Sequence, residues 1–331
     1  MLYDDRSPEG LSQLILKSQE PEVRAHDMSS RVAQPPAWVA ALLAGAPLVP
    51  VPNPQDPGAE LQVAASERYV RVTAVIEDAD TLPMEALEAR VTGAYRGIAA
   101  LLARHDRHAV RFWNFIPQIH AQMADGRDRY MVFNAGRFHA FSDVYGSQAI
   151  FARALPTASA VGIDAGPLVI HALGDVVPGM PVENPRQVPA YSYSKRYGPL
   201  PPCFARATLT AREPSEPASL GKHWLLIGGT ASIIGENSQH MRDPHRQAIE
   251  TFDNLTTLVA HAATRVEATL GLADPLDALS DLRVYFVHDA QAALVRDLVL
   301  ARFPSAQRIE FTRADLCRTE LLVEIEGLAR F

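Results

Sequence analysis

Two cysteines, Cys203 and Cys317, are all the thiol chemistry in 331 residues. They cannot make a disulfide framework, so a reduced, cytoplasmic setting is expected. Positive charge is also scarce. Thirty-one Lys and Arg stand against 38 Asp and Glu, a net charge of −7, which leaves no basic footprint for nucleic acid. Membrane-length apolar runs are missing too. The apolar stretch 38–51 is short and broken by Gly45, Pro47 and Pro50, so it reads as a buried segment or a wrapped arm. Met1-Leu2-Tyr3-Asp4-Asp5 lacks the basic start of a signal peptide. The run Gly228-Gly229-Thr230 is neither a phosphate loop nor a dinucleotide fingerprint. Its glycines suit a turn with close backbone approach. His240, Asp243 and His245 match no standard zinc spacing. No cofactor and no metal are therefore expected.

What is present is globular: 47% hydrophobic and 21% charged residues. Residues 1–60 carry Pro35, Pro36, Pro47, Pro50, Pro52, Pro54 and Pro57 and read as an extended arm. Beyond it the periodicity sharpens. Tyr69 to Ile76 alternates as a strand. Met84 to Ala103 is a helix, with Leu87, Val91, Tyr95, Ile98 and Leu102 on one stripe. Val110 to Ile116 is a buried strand. Asp128 to Tyr145 is a helix with Tyr130, Phe133, Phe138 and Phe141 available inward. Residues 160–163 and 168–173 read as paired strands, followed by a loop dense in Pro and Tyr over 176–203. His223 to Ile227 is a strand leading into the glycine turn. Thr251 to Leu270 is a helix, Leu282 to Val287 a strand, Gln291 to Phe303 a helix, and a strand closes the chain. Both halves run strand, long helix, strand, helix. The pattern predicts a duplicated α+β unit with helices on one face of a sheet, divided near Leu155-Pro156-Thr157 into 1–154 and 155–331.

The terminal segment Cys317 to Gly327 alternates, with Leu322, Glu324 and Glu326 on one face. The two carboxylates fall roughly 7 Å apart by the strand rise. A solvated edge strand would show the same alternation, so the pattern alone leaves that reading open.

The second half, ending in Val323-Glu324-Ile325-Glu326, resembles the RidA (YjgF-like) superfamily. Longer segments resemble the chorismatases, whose fold is built of RidA-like modules. These are Val110-Arg111-Phe112-Trp113-Asn114-Phe115-Ile116-Pro117, Tyr130-Met131-Val132-Phe133-Asn134-Ala135-Gly136-Arg137, Ser192-Tyr193-Ser194-Lys195-Arg196-Tyr197-Gly198-Pro199 and Gly228-Gly229-Thr230-Ala231-Ser232-Ile233-Ile234-Gly235-Glu236. The resemblance implies a degenerate first module behind the arm and a second module carrying the catalytic glutamate. It implies a cofactor-free enzyme that cleaves the enolpyruvyl ether of chorismate and releases pyruvate. The family's acid falls on Glu324. Seven residues earlier, members that form hydroxybenzoate carry Cys and hydrolytic members carry Ala. Cys317 therefore points to an aromatic product, 3-hydroxybenzoate with or without 4-hydroxybenzoate, in secondary metabolism, and leaves the split between the two isomers open. A second subtype position lies in the Gly229-Thr230-Ala231 region, and Ala231 is taken as its representative. RidA modules bind at clefts between trimer subunits, so a homo-trimer or a pseudo-trimeric monomer is implied.

The chemistry constrains the remaining candidates. Protonating a vinyl carbon near neutral pH needs a carboxylic acid, and a free Glu has a pKa of about 4.3. Burial and nearby anions raise it, and chorismate brings two carboxylates. A planar guanidinium grips a carboxylate with two parallel bonds. Arg206, Arg137 and Arg196 adjoin the quoted motifs, and Arg206 lies in the apolar stretch Phe204 to Leu209. Structural ion pairs are the competing role for each. Tyr193 leads among the loop tyrosines as a ring-orienting group. Cys317 reads as a pocket wall, since an enol ether needs a proton and not a nucleophile. Arg318, next to it, reads as solvated. Three rivals share these residues: a hydrolytic chorismatase giving a dihydroxycyclohexadiene carboxylate, a RidA-type imine deaminase, and a binding module without chemistry.

Overall fold

A computed structural model describes residues 22–26, 33–211, 222–266 and 273–331. The arm contributes β1 (Glu22–His26) and the short helix α1 (Ala37–Leu42). A first module follows: β2 (Val49–Val51), β3 (Glu60–Ala65), β4 (Tyr69–Ile76), α2 (Met84–Arg104), β5 (His108–Pro117), α3 (Arg129–Tyr145), α4 (Gln148–Ala154), β6 (Thr157–Ile163) and β7 (Leu168–Asp175). The second module holds β8 (Met180–Val182), β9 (Ala207–Ala211), β10 (His223–Ala231), the small β11 (Ile233–Ile234) and β12 (Asn237–Ser238), then α5 (Pro244–Thr264), β13 (Leu279–Phe286), α6 (Ala292–Arg302), β14 (Arg308–Arg313) and β15 (Val323–Arg330).

The duplication expected from the sequence is visible in the strand order. The first sheet runs β2-β3-β4-β7-β5-β6 and the second β1-β14-β13-β15-β10-β9-β8. Thus β3-β4-β7-β5-β6 repeats as β9-β10-β15-β13-β14. In each module the last strand inserts at the centre, antiparallel to both neighbours, and the next pair outward is parallel.

Three apolar layers hold the sheets. The helical stripe of α2 buries Leu87, Val91, Tyr95, Ile98 and Leu102 against the first sheet, each at most 3% exposed. Each such side chain stabilises the fold by about 2 kcal/mol. Helix α5 does the same for the second sheet through Phe252, Leu255, Leu258, Val259 and Ala262. Between the sheets lies a third layer, where Trp113, Phe115 and Val169 meet Trp224, Leu226 and Leu328. The arm closes it, with Trp38 edge-on to Trp113 at 5.8 Å. The start of the 38–51 stretch is therefore a buried segment.

Helix α3 matters most for the site. Asp128 caps it by accepting from the Met131 backbone N–H at 2.8 Å. At Gly136 a side chain would lie 2.6 Å from the Glu88 carbonyl oxygen, so only glycine lets α3 cross α2 this closely. The next residue, Arg137, reaches into the cavity described below.

Several expectations change. Residues 157–175 complete the first sheet, so the division falls after Asp175 and not at 155. The strands at 157–163 and 168–175 do not pair with each other, because β5 lies between them. Helix α5 begins at Pro244, seven residues before Thr251, because Asp243 caps it and Pro244 opens it. Leu270 lies outside the described residues. The terminal strand starts at Val323 and not at Cys317. A turn at Arg318–Leu321 sends Leu321 into the layer between the sheets, while Leu322 joins the helix side. The glycine run is no turn: β10 continues through it as a bulge.

Candidate active site

A cavity of about 270 Å³ opens where the modules meet. Helix α3 and strand β6 of the first module form one wall. The 193–206 loop, the bulge of β10, the 317–320 loop and the start of β15 form the other. Glu324, Arg206, Arg137, Arg196, Tyr193, Cys317 and Ala231 all line it. The first module thus completes the cleft from within the same chain.

Glu324 sits in β15 between Ala231 and Tyr285 on the flanking strands. It is 4% exposed. Space for its carboxyl comes from the bulge: a side chain at Gly229 would lie 2.0 Å from Glu324 Oε1. Burial pushes its pKa up to about 8, helped by the neighbouring Glu326 and opposed by Arg111 and Arg206. Among the described residues the Glu324 carboxyl makes no hydrogen bond or ion pair.

Glu326 lives in a different environment two residues on. It is 1% exposed and lies outside the cavity, between the sheets. Its Oε2 accepts from Arg111 at 2.6 Å and from Ser159 Oγ at 2.5 Å. Its Oε1 accepts from the Trp113 indole and from the Tyr285 hydroxyl, both at 3.1 Å. Four polar groups thus converge on its carboxyl.

The cations complement this acid. Arg137 is 1% exposed, and one of its amino groups donates to Asn134 Oδ1 at 2.8 Å. Its Nε and Nη1 have no partner. Arg206 is 5% exposed and donates to the Val188 carbonyl at 3.1 Å and to the Tyr193 hydroxyl at 2.6 Å. Its Nε has no partner. Both guanidiniums lie near the Phe204 ring, Arg137 at 5.5 Å and Arg206 at 5.3 Å from its centroid. Among the described residues neither arginine forms an ion pair. Buried guanidiniums without a carboxylate are costly, and an anionic ligand relieves that cost. Arg196 is different: it is exposed at the mouth and donates to Asn237 Oδ1 at 3.1 Å.

Cys317 lies in a loop facing the cavity. Burial, reinforced by Glu324, pushes its thiol up to about 12, so it is a neutral wall and not a thiolate. Arg318, read from the sequence as solvated, is 9% exposed and lines the cavity. It stacks 3.9 Å from the Tyr197 ring centroid and donates to the Glu236 carbonyl at 2.9 Å. Strand parity misplaced it because this stretch is a loop. Tyr130, Asp128, Ser159 and Glu320 also line the cavity and were not singled out for it. The quoted Tyr130–Arg137 motif held the only signal for Tyr130. Of the loop tyrosines, Tyr193 and Tyr197 face the cavity, whereas Tyr191 packs against Phe151 in the first core.

Residues 51–174 match the family model described as "Chorismatase FkbO/Hyg5-like, N-terminal". A curated relative named 3-hydroxybenzoate synthase, from Streptomyces hygroscopicus, is 35% identical over 222 residues, covering 66% of this chain and 62% of the relative. A chorismatase of Streptomyces rapamycinicus is 30% identical over 228 residues, covering 66% of this chain and 63% of the relative. The matched region thus spans less than two thirds of each relative's length. A crystal structure of a chorismatase superposes with a TM-score of 0.71 at 26% identity, covering 85% of this chain and 80% of that one. The matching model, the two relatives and the shared fold thus agree in likening this chain to the chorismatases.

Proposed function

We propose that the protein cleaves chorismate, releasing pyruvate and forming 3-hydroxybenzoate, with Glu324 as general acid. One observation carries this reading. A single cavity holds a buried carboxyl and two buried guanidiniums that, among the described residues, form no ion pair. The first group is an acid poised near neutral pH, and the other two are seats for a dicarboxylate. Both are what an anionic enol ether requires.

In this scheme Arg137 and Arg206 hold the substrate's carboxylates, and Tyr193 is fixed by its bond from Arg206. Glu324 delivers its proton to the terminal methylene of the enolpyruvyl group. The ether carbon becomes an oxocarbenium centre, which a water molecule captures. Collapse of the adduct frees pyruvate and returns a proton to Glu324. Loss of water then aromatises the ring, so chorismate becomes hydroxybenzoate and pyruvate with no net water. Cys317 supports the aromatic outcome, as does the relative named 3-hydroxybenzoate synthase. An acid mechanism requires kcat/KM to fall as pH rises past about 8, where Glu324 loses its proton.

The test is direct. Purified protein is mixed with chorismate, pyruvate is followed enzymatically, and the ring product is identified by chromatography. Equimolar pyruvate and 3-hydroxybenzoate are expected. A dihydroxydiene product would reassign the chain to the hydrolytic type, and absence of pyruvate would sink the chorismate reading.

A further inference from the structure

Glu326 takes no part in the chemistry above, yet more donors converge on it than a simple structural tie requires. We infer that Glu326 is a positioning residue: a caged carboxylate, ion-paired with Arg111, that holds its neighbour Glu324 in the acid form. The inference rests on the reading of Glu324 as the acid.

The cage is built from both modules. Arg111 and Trp113 come from β5, Ser159 from β6 and Tyr285 from β13. Arg111 also donates to Ser159 Oγ at 3.0 Å, which closes the ring of donors. Arg111 and Glu326 are each 1% exposed, and the surrounding layer is apolar. Water screens a charge poorly there, so Glu326 and its partner Arg111 are both felt by a carboxyl two residues along the same strand face. A nearby like charge disfavours the ionised form of a carboxyl.

Other charged and titratable groups face the pair. Arg111 and Arg206 both favour an ionised Glu324. Cys317, Tyr130 and Tyr285 stay protonated nearby. Arg283 faces Glu326 across the sheet, but its guanidinium is paired with Glu310 at 2.6 Å. Glu326 therefore has two effects. It repels a negative Glu324, and it absorbs the Arg111 charge that would otherwise stabilise one.

The duplication offers an internal control. By strand register, Val169 and His171 of β7 occupy the places of Glu324 and Glu326. His171 is neutral and bonded to Thr73 and to the Ala33 carbonyl. The module without the acid thus also lacks the caged anion.

The test titrates Glu324 directly, by infrared spectroscopy of protein carrying isotope-labelled glutamate, without substrate. Glu324→Gln assigns the carbonyl band of the neutral carboxyl. In the wild type that band is expected to disappear near pH 8. In Glu326→Gln its midpoint is expected to fall by about two pH units, since repulsion is lost and Arg111 is unmasked. The doubly neutral Arg111→Gln/Glu326→Gln variant strands no charge and guards against misfolding; a fall of about one unit is expected there. Activity should follow: the Glu326→Gln loss in kcat should be larger at pH 8 than at pH 6. A midpoint unchanged in the folded variants overturns the inference. A shifted midpoint in a protein that does not cleave chorismate would leave the inference standing and remove the reaction.

Discussion

The two modules share one strand order, yet only the second carries an acid. In the first, β4 pairs with β7 without interruption, and Val169 sits between Val75 and Phe115. In the second, β10 bulges at Gly228-Gly229 opposite β15, and Glu324 sits between Ala231 and Tyr285. The bulge opens room for a carboxyl, and the missing Cβ of Gly229 keeps that room clear. The first module has Val169 at that register position and supplies Arg137, Tyr130 and Ser159 to the shared cleft. The two copies thus differ: the second brings Glu324 to the cleft, and the first brings Arg137 and one wall.

The contrast can be broken first at Glu324. Glu324→Gln should lower pyruvate release at least about a hundredfold, the usual scale for a general acid. The same variant should be more heat-stable than the wild type at pH 9. The sign follows from linkage. The folded pKa of about 8 lies above the ordinary 4.5, so the folded state loses stability as pH rises between those values, and an amide removes that loss. Scanning calorimetry at pH 6 and pH 9 checks it, and an equal melting temperature difference at both would contradict the buried-acid assignment.

Gly229→Ala should fold but lose activity about tenfold to a hundredfold. Its methyl would meet the movable end of Glu324 and not backbone, so the acid is displaced while the strand survives. The converse change, Val169→Glu, tests whether a carboxyl alone makes a site. Val169 is fully buried with no bulge beside it, so the variant should lose several kcal/mol of stability by denaturant titration and gain no second site. Arg137→Lys should raise KM about tenfold or more with a smaller change in kcat, because a lysine cannot grip a carboxylate with two parallel bonds. Cys317→Ala should have the smallest effect on rate, within about tenfold, and should show instead as a diene diol among the products by chromatography.

Much of this was legible along the chain. The stripe of α2, the alternation of β4 and the apolar run of β5 follow from local periodicity, and all three form within a few residues of expectation. The candidate acid, arginines, tyrosine and cysteine converge on one cavity. Other features had no local signature. Arg318 looked solvated because parity was counted through a loop, whereas Tyr197 and the Glu236 carbonyl hold it inward. The glycine pair looked like a turn, because a bulge is defined by the partner strand and not by its own residues. The division at 155 followed a Pro-containing break, while β6 and β7 return to the first sheet through pairings with partners tens of residues away.

Composition and periodicity by themselves determined a duplicated α+β chain without disulfides, and the motif residues determined which carboxyl to suspect. Only the tertiary structure decided that Glu324 and Glu326, identical in type and two residues apart, have opposite characters. One faces an undonated hollow and the other receives four hydrogen bonds between two sheets. The reason is that a carboxyl's proton affinity depends on the donors, charges and water around it, and distant strands bring those together.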